Sequence, residues 1–197
     1  ALRISATFIT SAAGPRDFPR DGLPEVAMVG RSNVGKSSLI NAMTRQKLAR
    51  TSAEPGKTRL ANIYHVQRGA AAPFYLVDLP GYGFAKVPRE MQDHWGRLLA
   101  RYFAERQTLR GLFIVMDVRR PLGDKDLQMM DLVAGRGLPV HLLLTKADKV
   151  GRNEALPTLR KTRDAVAGRA TAQLFSALSK EGVDEARKTL RAMFAAG

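Results

Sequence analysis

Residues 26–40 read Val26-Ala27-Met28-Val29-Gly30-Arg31-Ser32-Asn33-Val34-Gly35-Lys36-Ser37-Ser38-Leu39-Ile40. The first four residues form a short apolar run, as a buried strand of a parallel sheet requires. The next eight residues fit the phosphate-binding pattern G-x-x-x-x-G-K-[ST]. After them, Leu39, Ile40 and Met43 are spaced like one face of a helix. The stretch therefore predicts a strand, a phosphate-binding loop and a helix, in that order.

Each part of this loop has a physical role in holding a phosphate. Gly30 and Gly35 allow tight turns that bring backbone N–H groups against phosphate oxygens. The helix that begins near Lys36 presents its N-terminus, with a partial positive charge, to the same anion. We expect Lys36 to reach the β- and γ-phosphates and Ser37 to place its hydroxyl on Mg²⁺. The predicted phosphate contacts are Gly30, Arg31, Ser32, Asn33, Val34, Gly35, Lys36, Ser37 and Ser38.

A second motif, Asp78-Leu79-Pro80-Gly81, directly follows the apolar run at residues 74–77. An aspartate at the tip of a buried strand can hold Mg²⁺ through a water molecule, and Gly81 can offer its N–H to a γ-phosphate. The pattern D-x-x-G is weak alone, but its place after a strand and downstream of a phosphate loop favours this role. The predicted contacts are Asp78, Leu79, Pro80 and Gly81.

A third motif, Thr145-Lys146-Ala147-Asp148, follows the apolar run at residues 140–144. The Asp148 carboxylate can accept hydrogen bonds from N1–H and the 2-amino group of guanine, two donors that adenine lacks. The Lys146 stem can lie over the base. Ser176-Ala177-Leu178 follows another short strand, and a backbone N–H there can reach the guanine oxygen. Together these segments predict a guanine nucleotide.

The polar loop between the first helix and the next strand carries a further Mg²⁺ candidate. A threonine there can bind Mg²⁺ when a γ-phosphate is present and release it after hydrolysis. Thr58, after Gly56 and Lys57, and Thr51 both fit, and position alone does not separate them.

Strands and helices alternate along the chain, and the strands are almost uniformly apolar. This pattern predicts an α/β fold with a mainly parallel sheet covered by helices on both faces. We divide the chain into an N-terminal extension, residues 1–23, with an edge strand at 6–10, and one nucleotide-binding domain, residues 24–197. The first helix is expected to run to about Leu48, and others to span 124–134, 155–167 and 183–194.

Two side-chain patterns are interpreted as structural. A helix from Arg89 places an apolar stripe on one face, and we interpret this stripe as part of the core. We interpret His141, a lone histidine in an apolar strand, as structural. The stripe comprises Met91, Trp95, Leu98, Leu99, Tyr102 and Phe103.

The composition of the chain indicates what kind of partner it binds and in which compartment it works. The chain has 197 residues, no cysteine and a net charge of +14, with an estimated pI of 10.7. The charge favours a polyanion, first of all nucleic acid. We expect Arg97 and Arg101 on one helix, and Arg187, Lys188 and Arg191 on the last, to face solvent and meet phosphates. The absence of cysteine favours a reducing cytoplasm, and the absence of a long apolar run opposes membrane insertion. We expect a monomer.

Four segments together resemble the EngB family of bacterial GTPases: residues 30–41, 55–59, 78–85 and 144–149. The similarity runs from about Phe8 to the last helix, and Tyr82-Gly83-Phe84-Ala85 is its most family-specific part. The resemblance implies a P-loop GTPase fold with a mixed six-stranded sheet and one antiparallel strand. It also implies GTP and GDP binding with Mg²⁺, and a function in assembly of the large ribosomal subunit and in cell division and septation.

By matching positions, the resemblance assigns the switch threonine and Mg²⁺ ligand to Thr58. Lys57 stands where an arginine is expected and keeps the charge. The residues expected to act on the reacting phosphate are then Lys36, Thr58 and Gly81, and the Mg²⁺ ligands are Ser37, Thr58 and, through water, Asp78.

Tyr82 occupies the position at which many GTPases carry a glutamine that orients the attacking water. Hydrolysis without a partner or cation is therefore expected to be slow. Asn33 either holds a K⁺ ion against the phosphates or only shapes the loop. A second reading makes the chain a non-ribosomal binding module, such as a septation scaffold, in which GTP is only a structural ligand. An ATP-dependent small-molecule kinase is opposed by Asp148.

Overall fold

The computed structural model describes residues 4–31, 34–46, 61–82 and 89–195. Within these ranges seven strands form one sheet, in the spatial order β1-β3-β4-β2-β5-β6-β7. Their bounds are β1 Ile4–Ala12, β2 Glu25–Gly30, β3 Ala61–Arg68, β4 Phe74–Asp78, β5 Leu109–Asp117, β6 Val140–Thr145 and β7 Thr171–Leu174.

The sheet confirms a mixed, mainly parallel α/β fold and corrects the strand count. β2 pairs in parallel with β4 and β5, and β5, β6 and β7 continue the parallel ladder. β3 is antiparallel to both of its neighbours, β1 and β4. The resemblance implied six strands. The seventh is β1, the expected edge strand, which adds to the sheet because its backbone pairs with β3 along almost its full length.

Five helices cover the two faces of the sheet: α1 Lys36–Thr44, α2 Arg89–Glu105, α3 Asp124–Ala134, α4 Arg152–Ala165 and α5 Val183–Ala195. Buried side chains of α2, α3 and α4 join one core cluster with the sheet, and those of α1 and α5 join the other. No helix in the described ranges is long and apolar enough to cross a membrane. The three-layer arrangement leaves the strand ends as the place where loops from both faces meet.

Some predicted helix ends are wrong for local reasons. α1 stops at Thr44, short of Leu48, because Arg45 takes the left-handed conformation with φ 56°, and its N–H caps the carbonyl of Asn41. α4 begins at Arg152, one turn earlier than expected. The expectations for α3 and α5 are confirmed to within one residue.

The apolar stripe of α2 is only partly core. Phe103 is fully buried, whereas Trp95, Leu98, Leu99 and Tyr102 are half-buried. The half-buried side chains line a cavity of about 370 Å³, which β1, α3 and the segment around Gly81 also bound. The side chain of Met91 lies outside the described part. Helical spacing identified the face but not how completely its neighbours cover it.

His141 is structural, as expected: its ring nitrogens contact Thr171 Oγ1 at 2.6 Å and Gln173 Oε1 at 2.8 Å, and burial lowers its pKa.

The expectation that Arg187 faces solvent is wrong. Its guanidinium donates to the carbonyls of Met43 at 3.0 Å and Ala42 at 3.3 Å. It therefore binds the free carbonyls at the C-terminus of α1.

Candidate nucleotide-binding site

The predicted motifs converge at one edge of the sheet. The phosphate loop follows β2, and Asp78 ends β4 beside it. Residues 145–148 follow β6, and residues 176–178 follow β7. Because these strands are parallel, their carboxyl ends lie side by side, and ligands of open α/β sheets bind at such ends. The topology thus brings together segments that are far apart in sequence.

The phosphate loop depends on two glycines for different reasons. A Cβ on Gly30 would lie 2.7 Å from the Val115 carbonyl oxygen of the neighbouring strand, so a side chain does not fit there. Gly35 has φ +91°, a left-handed conformation that side chains rarely adopt. Directly after it, α1 begins at Lys36. The first turn of α1, with Ser37 and Ser38 half-buried, presents N–H groups to the mouth of the site.

Lys36 joins the first motif to the second. Its ammonium pairs with the Asp78 carboxylate and donates a hydrogen bond to the Leu79 carbonyl. The side chains are 13% and 9% exposed, so this charge pair lies largely out of water. The contact keeps the Lys36 ammonium at the phosphate loop, next to the residues predicted to sense a γ-phosphate.

The segment from Leu79 to Tyr82 lies along the end of β2. Leu79 N donates to Met28 O at 3.0 Å, and Tyr82 N donates to Gly30 O at 3.1 Å. Arg31 and Tyr82 form an isolated parallel bridge. Pro80 and Gly81, between these anchors, are half-buried. The second motif is therefore attached to the first residues of the phosphate loop on both sides of Gly81.

The third motif is tied to the phosphate loop by Thr145. Its buried hydroxyl contacts the carbonyl of Val34 and, at 3.1 Å, that of Met116. Lys146 takes the left-handed conformation with φ 60°, and its ammonium lies 3.6 Å from Asp117. Lys146 Cε would lie 3.9 Å from a Cβ on Gly35. The Lys146 stem therefore passes close to the loop, as a residue covering a base would.

Asp148 and the fourth segment are directly linked. Ser176 Oγ donates to Asp148 Oδ1 at 2.8 Å and accepts from Ser179 N at 3.0 Å. Ser176 is fully buried, whereas Asp148 is exposed. Ala147 N also donates to Phe175 O at 3.1 Å. The Ser176 N–H already donates to Glu181 O at 3.0 Å, so the backbone amides of Ala177 and Leu178 are the candidates for the contact with the base.

Comparisons with known proteins agree with this geometry. Residues 25–146 match the sequence model of a family described as "50S ribosome-binding GTPase". The chain is 51% identical over 187 residues to "Probable GTP-binding protein EngB" of Xanthomonas oryzae pv. oryzae (strain PXO99A), covering 92% of this chain and 88% of that protein. The chain belongs to the EngB family of GTP-binding proteins. Membership makes it a GTP-binding protein and, as a member of this class, a GTPase.

Other relatives agree with the family and the fold. The protein of the same name from Xylella fastidiosa (strain Temecula1 / ATCC 700964) is 48% identical over 187 residues, covering 91% of this chain and 89% of that protein. The crystal structure of a probable GTP-binding protein engB superposes with TM-score 0.64 at 18% identity, covering 88% of this chain and 99% of that chain. A single-residue variant of Aquifex aeolicus Era, bound to GDP and AlF4⁻, gives TM-score 0.71 at 22% identity, covering 85% of this chain and 56% of that chain.

Several EngB site predictions lie outside the described residues: Ser32, Asn33, Gly56, Lys57 and Thr58, and the alternative Thr51. Their assignments, including the K⁺ role of Asn33, stay predictions.

The described residues include oxygen atoms that suit a Mg²⁺ site. Asp78 Oδ1 is buried and accepts no hydrogen bond there, so beyond its charge pair with Lys36 it can accept from a metal-bound water. No group of three or more acidic or histidine side chains that could hold a metal occurs in the described ranges. Mg²⁺ commonly binds through one or two protein groups plus phosphates. Ser37 and Asp78 fit that kind of site.

Sequence reasoning missed two contacts at this edge. Asp117, the last residue of β5, forms a paired contact with Arg119, at 2.9 and 2.7 Å. The Arg119 hydrogen bonds lower the pKa of Asp117 to about 2. Asp117 therefore stays ionised beside Lys146.

The second contact that the sequence did not predict is a hydrogen bond from the Tyr82 hydroxyl to Asp126 of α3. The end of a buried strand marks Asp117 as a candidate, but no local pattern pairs Tyr82 with Asp126.

Proposed function

We propose that this EngB protein is a GTP-controlled switch that acts in assembly of the large ribosomal subunit, in the cytoplasm, and is needed for normal cell division. The observation that carries the switch is the joint attachment of Lys36, Asp78 and the Gly81 segment to the phosphate loop. Support for the partner comes from the family description as a 50S ribosome-binding GTPase and from the net charge of +14.

In this proposal each nucleotide contact has one chemical role. Lys36 binds the β- and γ-phosphates, and the Gly81 N–H donates to the γ-phosphate. Ser37, Thr58 and, through water, Asp78 would hold Mg²⁺, which neutralises charge on those phosphates. Asp148 accepts from the guanine edge, with its carboxylate oriented by Ser176. Hydrolysis is slow without a partner or cation because Tyr82 cannot orient water as glutamine does.

Thr58→Ala should separate nucleotide binding from switching. Only GTP has the γ-phosphate that can draw Thr58 and Gly81 inward. The variant should bind GDP like the wild type but show no difference between GDP and a non-hydrolysable GTP analogue in co-sedimentation with large ribosomal subunits. Thr51→Ala is the control and should keep the nucleotide dependence. Loss of that dependence in Thr51→Ala alone would reverse the assignment.

Ribosome binding is proposed to use a basic surface at the end of α1, defined by Arg45 and Arg191. These side chains are exposed. Arg187 lies among them, and its pKa is lowered by burial and by the positive charges of Arg45, Arg191 and Arg68. Because Arg187 binds the α1 carbonyls, it shapes this surface and is not offered as a phosphate contact.

The double variant Arg45→Glu/Arg191→Glu should weaken co-sedimentation with large subunits and leave GTP affinity unchanged. If each arginine meets one phosphate, the slope of log affinity against log salt should fall by about 2. The matched control is Arg160→Glu/Lys161→Glu on α4, at the opposite face of the sheet, with the same charge change. Exposed charges further apart than about 10 Å are largely screened at 0.1 M salt. Equal losses in both variants would contradict a localised surface.

The second reading, a septation scaffold with GTP as a structural ligand, makes the opposite prediction. Wild-type binding to large subunits that ignores both salt and nucleotide would favour that reading over the switch.

A further inference from the structure

Tyr82 directs its side chain toward α3. Its hydroxyl donates to Asp126 Oδ1, while Gly123 N donates to Asp126 Oδ2 at 3.0 Å. Asp126 is 1% exposed. Both oxygens of this buried carboxylate therefore have donors, one from the backbone that begins α3 and one from Tyr82. A buried acceptor with two donors holds a single position, because moving it would leave a polar group unsatisfied.

The backbone of Tyr82 is held independently of its side chain. Tyr82 N donates to Gly30 O at 3.1 Å, and the residue bridges Arg31 in parallel. On the other side of Gly81, Leu79 N donates to Met28 O at 3.0 Å. Gly81 thus lies between two anchored residues, and one of them, Tyr82, is anchored both to the phosphate loop and to α3.

The chemistry of the pair supports a permanent anchor. Burial, together with the charge of Asp126, raises the pKa of Tyr82, so the phenol keeps its proton and stays a donor. Burial also raises the pKa of Asp126, and the hydrogen bond from Tyr82 and the charge of Arg31 oppose that rise. Arg31 of the phosphate loop is therefore close enough to influence both partners.

We propose that Tyr82 is a positioning residue: through Asp126 it fixes the Gly81 N–H for the γ-phosphate, and its hydroxyl takes no part in orienting the attacking water. The proposal rests on the γ-phosphate contact proposed above for Gly81. It accounts for a tyrosine next to Gly81 by a bond to α3, 44 residues away in sequence, and gives the phenol a function that glutamine at this position does not have.

The test compares the affinities of the full chain for GDP and for a non-hydrolysable GTP analogue by titration calorimetry. Tyr82→Phe removes the hydroxyl and keeps the ring. We expect affinity for the GTP analogue to fall about 10-fold, as loss of one hydrogen bond to a charged group commonly gives, with GDP affinity unchanged. If Tyr82 had a purely structural role, Tyr82→Phe would lower the midpoint of thermal unfolding and weaken the binding of both nucleotides by the same factor.

Tyr75→Phe is the matched control. The Tyr75 hydroxyl also donates to an aspartate, Asp21 at 2.6 Å, but at the opposite end of β4 from Asp78. This variant should leave unchanged the ratio of GTP-analogue affinity to GDP affinity. Asp126→Asn should lower this ratio. Combining Asp126→Asn with Tyr82→Phe should lower it little further, because the two residues act as one unit.

Two further results would overturn the proposal, and they are distinguishable. Gly81→Pro removes the N–H itself; if this variant leaves affinity for the GTP analogue unchanged, the γ-phosphate contact is wrong, and the positioning role falls with it. If Gly81→Pro weakens binding of the analogue but Tyr82→Phe leaves that binding unchanged or tightens it, the contact stands and the positioning role is wrong.

Discussion

Asp148→Asn should lower GTP affinity by roughly 10⁴-fold and shift the base preference toward xanthine nucleotides. A site that hydrogen-bonds specific donors rejects partners that leave those bonds unmade by about 10⁴-fold or more. In the proposed site the carboxylate accepts from both guanine donors, whereas an amide would present a donor of its own to them. The loss should not come from unfolding, since the oxygen of the substituted amide can still accept the 2.8 Å bond that Ser176 Oγ donates to Asp148.

The measurement is competition of GTP and XTP against a fluorescent guanine nucleotide. Asp164→Asn provides the control, because Asp164 is an exposed aspartate on α4 outside the site. It should behave like the wild type with both nucleotides. An Asp148→Asn variant that binds GTP within a few-fold of the wild type would show that residues 145–148 do not read the base.

Lys36→Ala should lower the rate of GTP hydrolysis by about 10²–10³-fold, the usual effect of removing one donor that stabilises developing charge. It should also destabilise the fold, because Asp78 would keep a buried charge without its cation. Removing one partner of a buried pair commonly costs about 3–5 kcal/mol. Single-turnover hydrolysis and thermal unfolding together measure both effects.

A second variant separates chemistry from stability. Lys36→Ala/Asp78→Asn removes both charges and should recover most of the lost thermal stability while hydrolysis stays low. Lys161→Ala, an exposed lysine of α4, should change neither quantity. Normal hydrolysis in a folded Lys36→Ala protein would remove Lys36 from the reaction.

The parts of the fold that were predictable from sequence are those with local signals. The phosphate loop combines a strand, two glycines and a helix start within fifteen residues, and Asp124–Ala134 has both helical spacing and acidic residues at its start. Conversely, the sequence predicted a strand near residues 6–10 but could not show that its backbone would join β3 and make the sheet seven-stranded.

The remaining errors concern burial and long-range pairing. Arg187 has the helical position of a solvent-facing residue, yet α1 brings free carbonyls to it from 144 residues away. The α2 stripe has core spacing, but how far Trp95 and Leu99 are covered depends on β1 and α3. The bond between Tyr82 and Asp126 likewise depends on where α3 starts relative to the end of β2. None of these contacts has a signal within one element.

One site at the strand ends is proposed to bind guanine nucleotides selectively. This selectivity is tested most directly by displacement of fluorescent GDP from the wild-type chain by GTP and by ATP in the presence of Mg²⁺. We expect GTP to displace the probe at concentrations roughly 10⁴-fold lower than ATP, because only guanine offers the two donors that Asp148 is proposed to accept. Displacement by ATP and GTP at concentrations within a few-fold of each other would contradict the account.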